Sequence, residues 1–377
     1  MILPPLSLYV HIPWCVRKCP YCDFNSHESR EIPETDYVAA LLRDFEEDLH
    51  LAHGRKLRSV FFGGGTPSLF KAESIGKVLE AAEQHIGFED AVEITLETNP
   101  GTAEYHQLEG YRSAGVNRLS FGMQSFNDRH LQTLGRIHDS REARLAYTAA
   151  RRAGFNNINL DLMHGLPGQT MDDACKDLQQ AIGLQPEHIS WYQLTIEPNT
   201  VFYSRPPTLP ADEVLADIQD AGQTLLQHAG YQQYEVSAYS STARQSVHNL
   251  NYWQFGDYLA LGAGAHGKIS TPGKGILRYR KTRKPGDYLD PQKPFTAGQD
   301  YVETHRQTLE FMMNALRLVE GVPRQWFAER TEVQDAMLER FLPQLVDRGL
   351  LAAHPDRLQP TSLGMRFLND TLAVFDD

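Results

Sequence analysis

From residue 6 to about residue 229, short β-branched or aromatic runs alternate with stretches of helical periodicity. Residues 6–11, 59–62, 93–97, 118–122, 157–162 and 188–194 read as strands bounded by turn formers. Between residues 36 and 53, Val38, Leu41, Leu42, Phe45 and Leu49 recur at helical spacing. Further helices are expected at 69–85, up to Ala114 with Gly115 as a stop, and at 141–153, 171–182 and 210–229. Strands alternating with helices imply βαβ units and a parallel sheet. Six units are too few for a closed eight-stranded barrel, so the expected fold is α/β, an open partial (β/α)6 barrel over residues 1–230.

The loop after the first strand carries three of the four cysteines in the chain. Cys15, Cys19 and Cys22 are spaced C-x3-C-x2-C, and the fourth cysteine, Cys175, is far away in sequence. Three is odd, so this is not a disulfide framework. Soft thiolates select zinc, copper(I) or iron–sulfur clusters. Three cysteines without a fourth nearby point to a four-iron cluster with one iron open to another ligand. A zinc site using His11 or His27 as fourth ligand is the alternative.

Other polar residues fall on the same rim. The glycine run Gly63-Gly64-Gly65-Thr66-Pro67, Glu97, Gln124, Asp161 and Thr195 all lie at or just past the C-terminal end of an expected strand. In parallel α/β folds that end forms the site. The glycine run lacks the lysine of a phosphate-binding loop.

Beyond residue 230 the rhythm breaks. Residues 231–239 read as a strand, and His248-Asn249-Leu250-Asn251-Tyr252-Trp253 follows a polar loop. Residues 278–284 are strongly basic, and proline and glycine near 285–298 suggest a connector over residues 231–300. Residues 301–377 read as a small α-rich, winged-helix-like module with a short hairpin around 351–358. A winged helix can suggest DNA, but Glu329, Glu332, Asp335, Glu339 and Asp347, with a formal net charge of −12, argue against a nucleic-acid partner. No apolar run reaches membrane-span length, and Met1-Ile2-Leu3-Pro4-Pro5 lacks the pattern of a signal peptide. Clustered cysteines fit a reducing compartment, so a cytoplasmic location is expected.

These motifs together carry a family resemblance. Cys15-x3-Cys19-x2-Cys22, with Tyr21 before the last cysteine, resembles the cluster motif of the radical S-adenosylmethionine (SAM) superfamily. That resemblance implies a [4Fe-4S] cluster whose open iron is chelated by SAM. It narrows to the oxygen-independent coproporphyrinogen oxidase branch, which holds the HemN oxidases and the HemW heme chaperones. The family pattern implies that Gly64, Gly65 and Thr66 hold the SAM amine, that Glu97 binds its ribose, and that Gln124 and Arg136 orient the methionyl carboxylate and ribose. Asp161, Thr195 and Tyr9 are further implied SAM contacts.

Two functions share that scaffold. One is radical decarboxylation of coproporphyrinogen III; the other is binding heme and handing it to apo-hemoproteins. The oxidase motif has an additional cysteine where this chain has Phe24, and the oxidases carry a longer N-terminal extension. The run 248–253 resembles the HNxxYW motif of the HemW side, whose histidine is implicated in heme binding, so His248 is the expected heme ligand. Arg278, Arg280, Lys281, Arg283 and Lys284 are expected partners for heme propionates. The resemblance therefore implies a heme chaperone, with coproporphyrinogen oxidase activity not expected. Whether SAM is cleaved stays open at this point. It also implies homodimerisation and peripheral contact with respiratory membrane proteins at the inner face of the cell membrane.

Overall fold

A computed structural model describes residues 2–101 and 107–376. The expected helix ending at Ala114 is seen over its last turns, Leu108–Ser113; residues 102–106 lie outside the described residues. The six expected strands are β1 Leu6–Ile12, β2 Leu57–Gly64, β3 Phe88–Thr98, β4 Arg118–Gln124, β5 Ile158–His164 and β6 His188–Gln193. They pair in parallel, each with the next in sequence.

The stretch read as a connector extends this sheet at both edges. Residues 231–239 form two strands rather than one, β7 Gln232–Glu235 and β8 Ala238–Ser240, and β8 pairs antiparallel with β6. β9 Asp257–Leu261 pairs parallel with β1 on the other edge. β10 His266–Thr271, β11 Gly275–Lys281 and β12 Thr296–Tyr301 follow it as antiparallel neighbours. The result is one open twelve-stranded sheet in the order β12-β11-β10-β9-β1-β2-β3-β4-β5-β6-β8-β7.

Local chemistry sets the helices in register with the strands. Asp139 and Glu142 form a capping box at Ser140–Arg152, and Thr170 with Asp173 does the same at Met171–Gly183. The parallel strands alternate with period 2. Leu8, Val10, Val60, Phe62, Ile94, Leu96, Leu119, Phe121, Leu160, Ile189 and Trp191 are buried in the main apolar core. The opposite face is polar, and its side chains bond across strands. Ser7 Oγ meets Ser59 Oγ at 2.7 Å, Ser120 Oγ donates to Asp161 at 2.9 Å, and Asn159 Nδ2 donates to Ser120 Oγ at 2.8 Å. A sheet in this class is usually apolar on both faces, so a polar inner face marks an interior built for ligands and water rather than for packing.

The last module shares a core with the sheet: Phe311, Leu316, Phe327, Leu345 and Leu358 pack with Tyr234, Phe255 and Ile276. Near the expected hairpin the chain folds back through Ala352 N donating to Gln359 O, and Arg357–Leu358 pairs antiparallel with Val322–Pro323. Among the described residues, no helix is long and apolar enough to cross a membrane.

Candidate functional site

The C-terminal ends of the strands close around a cavity of about 340 Å³. Cys15, Cys19 and Cys22 line it together with Gly64, Gly65, Thr66, Glu97, Gln124, Arg136 and Asp161. The cysteine loop is pinned by its own backbone, with Cys22 N donating to Cys19 O at 3.2 Å, and by Lys18 Nζ donating to the Phe24 and Ser26 carbonyls at 3.2 Å. All four cysteines are free thiols. Burial pushes the Cys15 and Cys22 thiols up from their ordinary value, and each is raised further by neighbouring cysteines. A bound cation or iron centre would reverse that, because a coordinated thiol is held as thiolate.

The zinc alternative loses one donor. His11 Nδ1 meets the Tyr9 hydroxyl at 2.8 Å and its Nε2 meets Asn25 O at 2.9 Å, so both ring nitrogens are already engaged. Among the described residues, no three His, Cys, Asp or Glu side chains converge closely enough for a single metal ion.

The glycine run is the end of β2 continuing into the rim. Gly65 N donates to Ile12 O and Thr66 N to Trp14 O, both at 2.8 Å. Gly64 stands at φ 114°, and a Cβ there would come within 2.5 Å of the His11 ring. At Gly65 a Cβ would collide with Trp14 O. Glycine is required at both positions because a side chain would collide with the His11 ring or the Trp14 backbone, and at Gly64 also because of its positive φ.

Behind it, Gly64 N donates to Glu97 Oε2 at 3.0 Å. Burial, with the nearby Asp161 charge, pushes the Glu97 carboxyl up to about 8. Asp161 is also raised by burial, although Asn159 and Ser120 donate to it at 2.8 and 2.9 Å. Two partly buried carboxylates beside each other resist joint ionisation. They are suited to accepting hydrogen bonds from uncharged hydroxyls. This gives the ligand-free protein a pH dependence. Folded Glu97 keeps a proton that the unfolded chain has lost above its ordinary value of 4.5. Its stabilising contribution is fully present below that value and disappears as pH rises through about 8. Glu97→Gln is therefore expected to gain stability relative to wild type between pH 5 and pH 8.5. Thermal denaturation at the two pH values checks this, and an unchanged difference would contradict it.

Arg136 and the exposed Arg17 are arginines of the cavity lining, and Arg136 is the one held in place by several hydrogen bonds. It donates to Asn99 Oδ1, to Gly122 O at 2.8 Å and to Cys19 Sγ at 3.6 Å, while its Nε is buried without a partner. Gln124 accepts from the Tyr192 hydroxyl at 2.9 Å. It also stands in the left-handed region at φ 65°, a conformation that non-glycine residues adopt mainly at specialised positions. Asn99, Ser120, Ser190, Tyr192 and Tyr21 also line the cavity and were not foreseen. For Ser120, Ser190 and Tyr192 the signal was present: each sits at an inward position of a strand whose alternate residues are apolar.

Three expected residues are not brought to this cavity. Thr195 is exposed beyond the end of β6 and lines neither this cavity nor its neighbour. Tyr9 lines the neighbouring cavity, which has a volume of about 750 Å³ and shares Phe24, Gly64 and Glu97 with the first. His248 faces neither. It is buried on helix Val247–Trp253, stacked on Phe61 at 4.0 Å between ring centroids and 4.4 Å from Tyr252. The helix lies against the polar face of the sheet, and its first turn caps on Glu93, which accepts from Val247 N at 3.1 Å and His248 N at 2.9 Å. Burial, reinforced by Arg118, lowers the His248 imidazole to about 3, so it is neutral. The His248 ring packs against Phe61 and Tyr252, and Tyr252 in turn lines the larger cavity.

The basic run also divides. Lys281 Nζ is buried against Asp44 and Asp48, at 2.5 and 2.8 Å, and Arg278 pairs with Glu310 at 2.7 Å. Arg280 and Arg283 line the larger cavity, and Lys284 is exposed.

The class that this barrel and three-cysteine rim define is the radical SAM scaffold. Residues 9–181 match the Radical SAM superfamily and residues 305–367 the HemN C-terminal domain. The superfamily implies a [4Fe-4S] cluster and SAM. The solved structure of coproporphyrinogen III oxidase (HemN) from Escherichia coli superposes with a TM-score of 0.83 at 23% identity, over 99% of this chain and 90% of that one. The heme chaperone HemW of Haemophilus influenzae is 51% identical over 378 residues, covering 99% of this chain and 98% of the relative. That of Escherichia coli is 48% identical, with 99% and 98% covered. That of Bacillus subtilis is 33% identical, with 98% of each covered. The chain belongs to the HemW heme chaperone family.

Proposed function

We propose that this protein binds heme and passes it to apo-hemoproteins, on a scaffold in which Cys15, Cys19 and Cys22 hold a [4Fe-4S] cluster and the 340 Å³ cavity holds SAM. One observation carries the heme reading. The 750 Å³ cavity adjoining the cysteine rim is walled by Phe24, Tyr252 and Tyr258 and edged by Arg280 and Arg283. Its size lies in the ordinary range for small-molecule sites, and aromatic walls with a cationic edge match an apolar macrocycle bearing carboxylates.

The cofactor cavity supports the SAM reading by its donor set. Its lining brings together three thiols, a guanidinium that touches Cys19 and keeps a free Nε, and two hydroxyl-accepting carboxyls. When bound, the cluster supplies one-electron chemistry to SAM. Arg136 would then hold the methionyl carboxylate, Gln124 would orient it, Gly64 and Gly65 would admit the amine, and Glu97 and Asp161 would accept from the ribose.

Phe24 favours carriage over oxidation, because it stands where the oxidase motif has its additional cysteine and is 59% exposed between the two cavities. With the cluster reconstituted anaerobically, and SAM, reductant and coproporphyrinogen III supplied, no protoporphyrinogen IX is expected. Added heme is expected to bind stoichiometrically. Efficient product formation would overturn the chaperone reading. The proposal includes respiratory membrane proteins among the recipients, a cytoplasmic homodimer and peripheral contact with the inner membrane face. Sedimentation with and without heme, and flotation with liposomes, test those parts.

A further inference from the structure

We propose that Asn159, His188 and Tyr234 are positioning residues that join the SAM cavity to helix Val247–Trp253, so that a ribose hydroxyl donating to Asp161 firms the seat of that helix. This rests on the SAM reading above and deepens it. The helix carries His248, the expected heme ligand, and Tyr252, which lines the 750 Å³ cavity. A tie to this helix is therefore a tie between the two sites.

The chain of hydrogen bonds runs in one direction. Asn159 and Asp161 lie on β5, His188 opens β6 opposite Asn159, and Tyr234 lies on β7. Asn159 Nδ2 donates to Asp161 Oδ1 at 2.8 Å. Its Oδ1 accepts from Ser190 N at 3.1 Å, and a backbone N–H only donates, so that contact fixes which way the amide points. His188 Nδ1, 2.6 Å from the same Oδ1, must then carry the ring proton. Burial, reinforced by Arg118, lowers the His188 imidazole well below its ordinary value, so it is neutral and its Nε2 accepts. The donor is the Tyr234 hydroxyl at 2.8 Å, which burial keeps protonated. Tyr234 in turn accepts from Asn249 Nδ2 at 3.1 Å. Every donor points from the helix toward Asp161.

The chain ends on a cavity carboxyl. Burial raises Asp161, and a hydroxyl donating to it favours the ionised form. An ionised acceptor strengthens the bond from Asn159, and aligned bonds polarise one another, so the gain extends to Asn249. His188, Asn159 and Tyr234 are 0%, 2% and 4% exposed, so solvent does not screen these bonds. A seven-residue helix opens less often when such a tie is stronger. A second ligand that needs the helix seated then meets a smaller ordering cost.

Amide hydrogen exchange over residues 246–256 of the full chain, with the cluster reconstituted and no reductant present, tests this with and without SAM. In wild type, SAM is expected to slow exchange there about fivefold or more and to tighten hemin binding about fivefold. Tyr234→Phe, which keeps the ring in its apolar core, and Asn249→Ala are expected to bind SAM but to lose both effects. Ser7→Ala removes a buried hydrogen bond outside the chain and is expected to keep both. SAM bound to wild type with exchange or hemin affinity unchanged would overturn the proposal. So would effects that survive in Tyr234→Phe or Asn249→Ala, or that disappear in Ser7→Ala. Wild type that takes up no SAM would instead overturn the cofactor reading, and this proposal with it. Wild type that takes up no hemin would overturn the heme reading and leave the slowed exchange standing.

Discussion

Replacing Cys15, Cys19 or Cys22 by alanine is expected to remove nearly all iron and acid-labile sulfide from the reconstituted protein, whereas Cys175→Ala retains them. The three thiols stand on one cavity wall, while Cys175 lies on helix Met171–Gly183 beside Gln179 and Asp220. A cluster with three protein thiolates has no spare attachment, and loss of one leaves two ligands to hold a charged inorganic core. The sheet does not depend on the loop: its buried residues pack against helices on the opposite face from the cavity. Far-ultraviolet circular dichroism should therefore match wild type. Metal and sulfide analysis decides the matter. Iron retained in any of the three rim-cysteine variants, or zinc in place of iron in wild type, would contradict the assignment.

The largest loss of stability is expected from Asp257→Ala. Asp257 opens β9 and is fully buried, as is Lys268, whose Nζ lies 3.0 Å away. Arg55 reaches it at 2.7 Å, Ser270 N donates at 2.8 Å and Ser270 Oγ at 2.9 Å. Burial pushes the Asp257 carboxyl up, but Lys268 and Arg55 outweigh burial and hold it below the ordinary value. Truncation leaves a buried lysine without its counter-charge, which costs about 3–5 kcal/mol. The same pairing makes stability fall with acid. The contribution is present above the ordinary carboxylate value and lost as pH falls through the lower folded one. Urea denaturation at pH 7 gives the figure, and a second variant, Asp257→Ala with Lys268→Met, should recover part of it. A loss under about 1 kcal/mol, the range of an exposed pair, would contradict this account of the strand junction.

Much of this was legible in the residues. The βα rhythm foretold six strands because each carries its own period, and each ends in a residue that turns. Cys15, Cys19, Cys22, Glu97, Gln124 and Asp161 were foreseen at one rim because strand ends in a parallel sheet share an edge; all six line one cavity. Arg136 was not legible by position. It lies beyond β4 in the loop before Ser140–Arg152, and reaches the rim through the hydrogen bond of its own backbone N to Leu131 O and its side chain to Gly122 O.

The misses have a common cause. Lys281 and Arg278 were read by chemical type, yet each is engaged by a partner distant in sequence: Asp44 and Glu310. Long-range pairing is not written in local spacing. The sixth strand was read to residue 194, one residue past its end at Gln193, and Thr195 lies beyond it.

Transfer of heme is the most direct measurement of the central claim. Protein loaded with stoichiometric hemin, with its cluster reconstituted, is mixed with an apo-hemoprotein while the Soret band is followed. The account predicts that the band moves to the acceptor's position and that heme leaves this chain as fast as the acceptor gains it. Heme that stays on the protein in the presence of excess acceptor, or a loaded protein that converts coproporphyrinogen III instead, would contradict it.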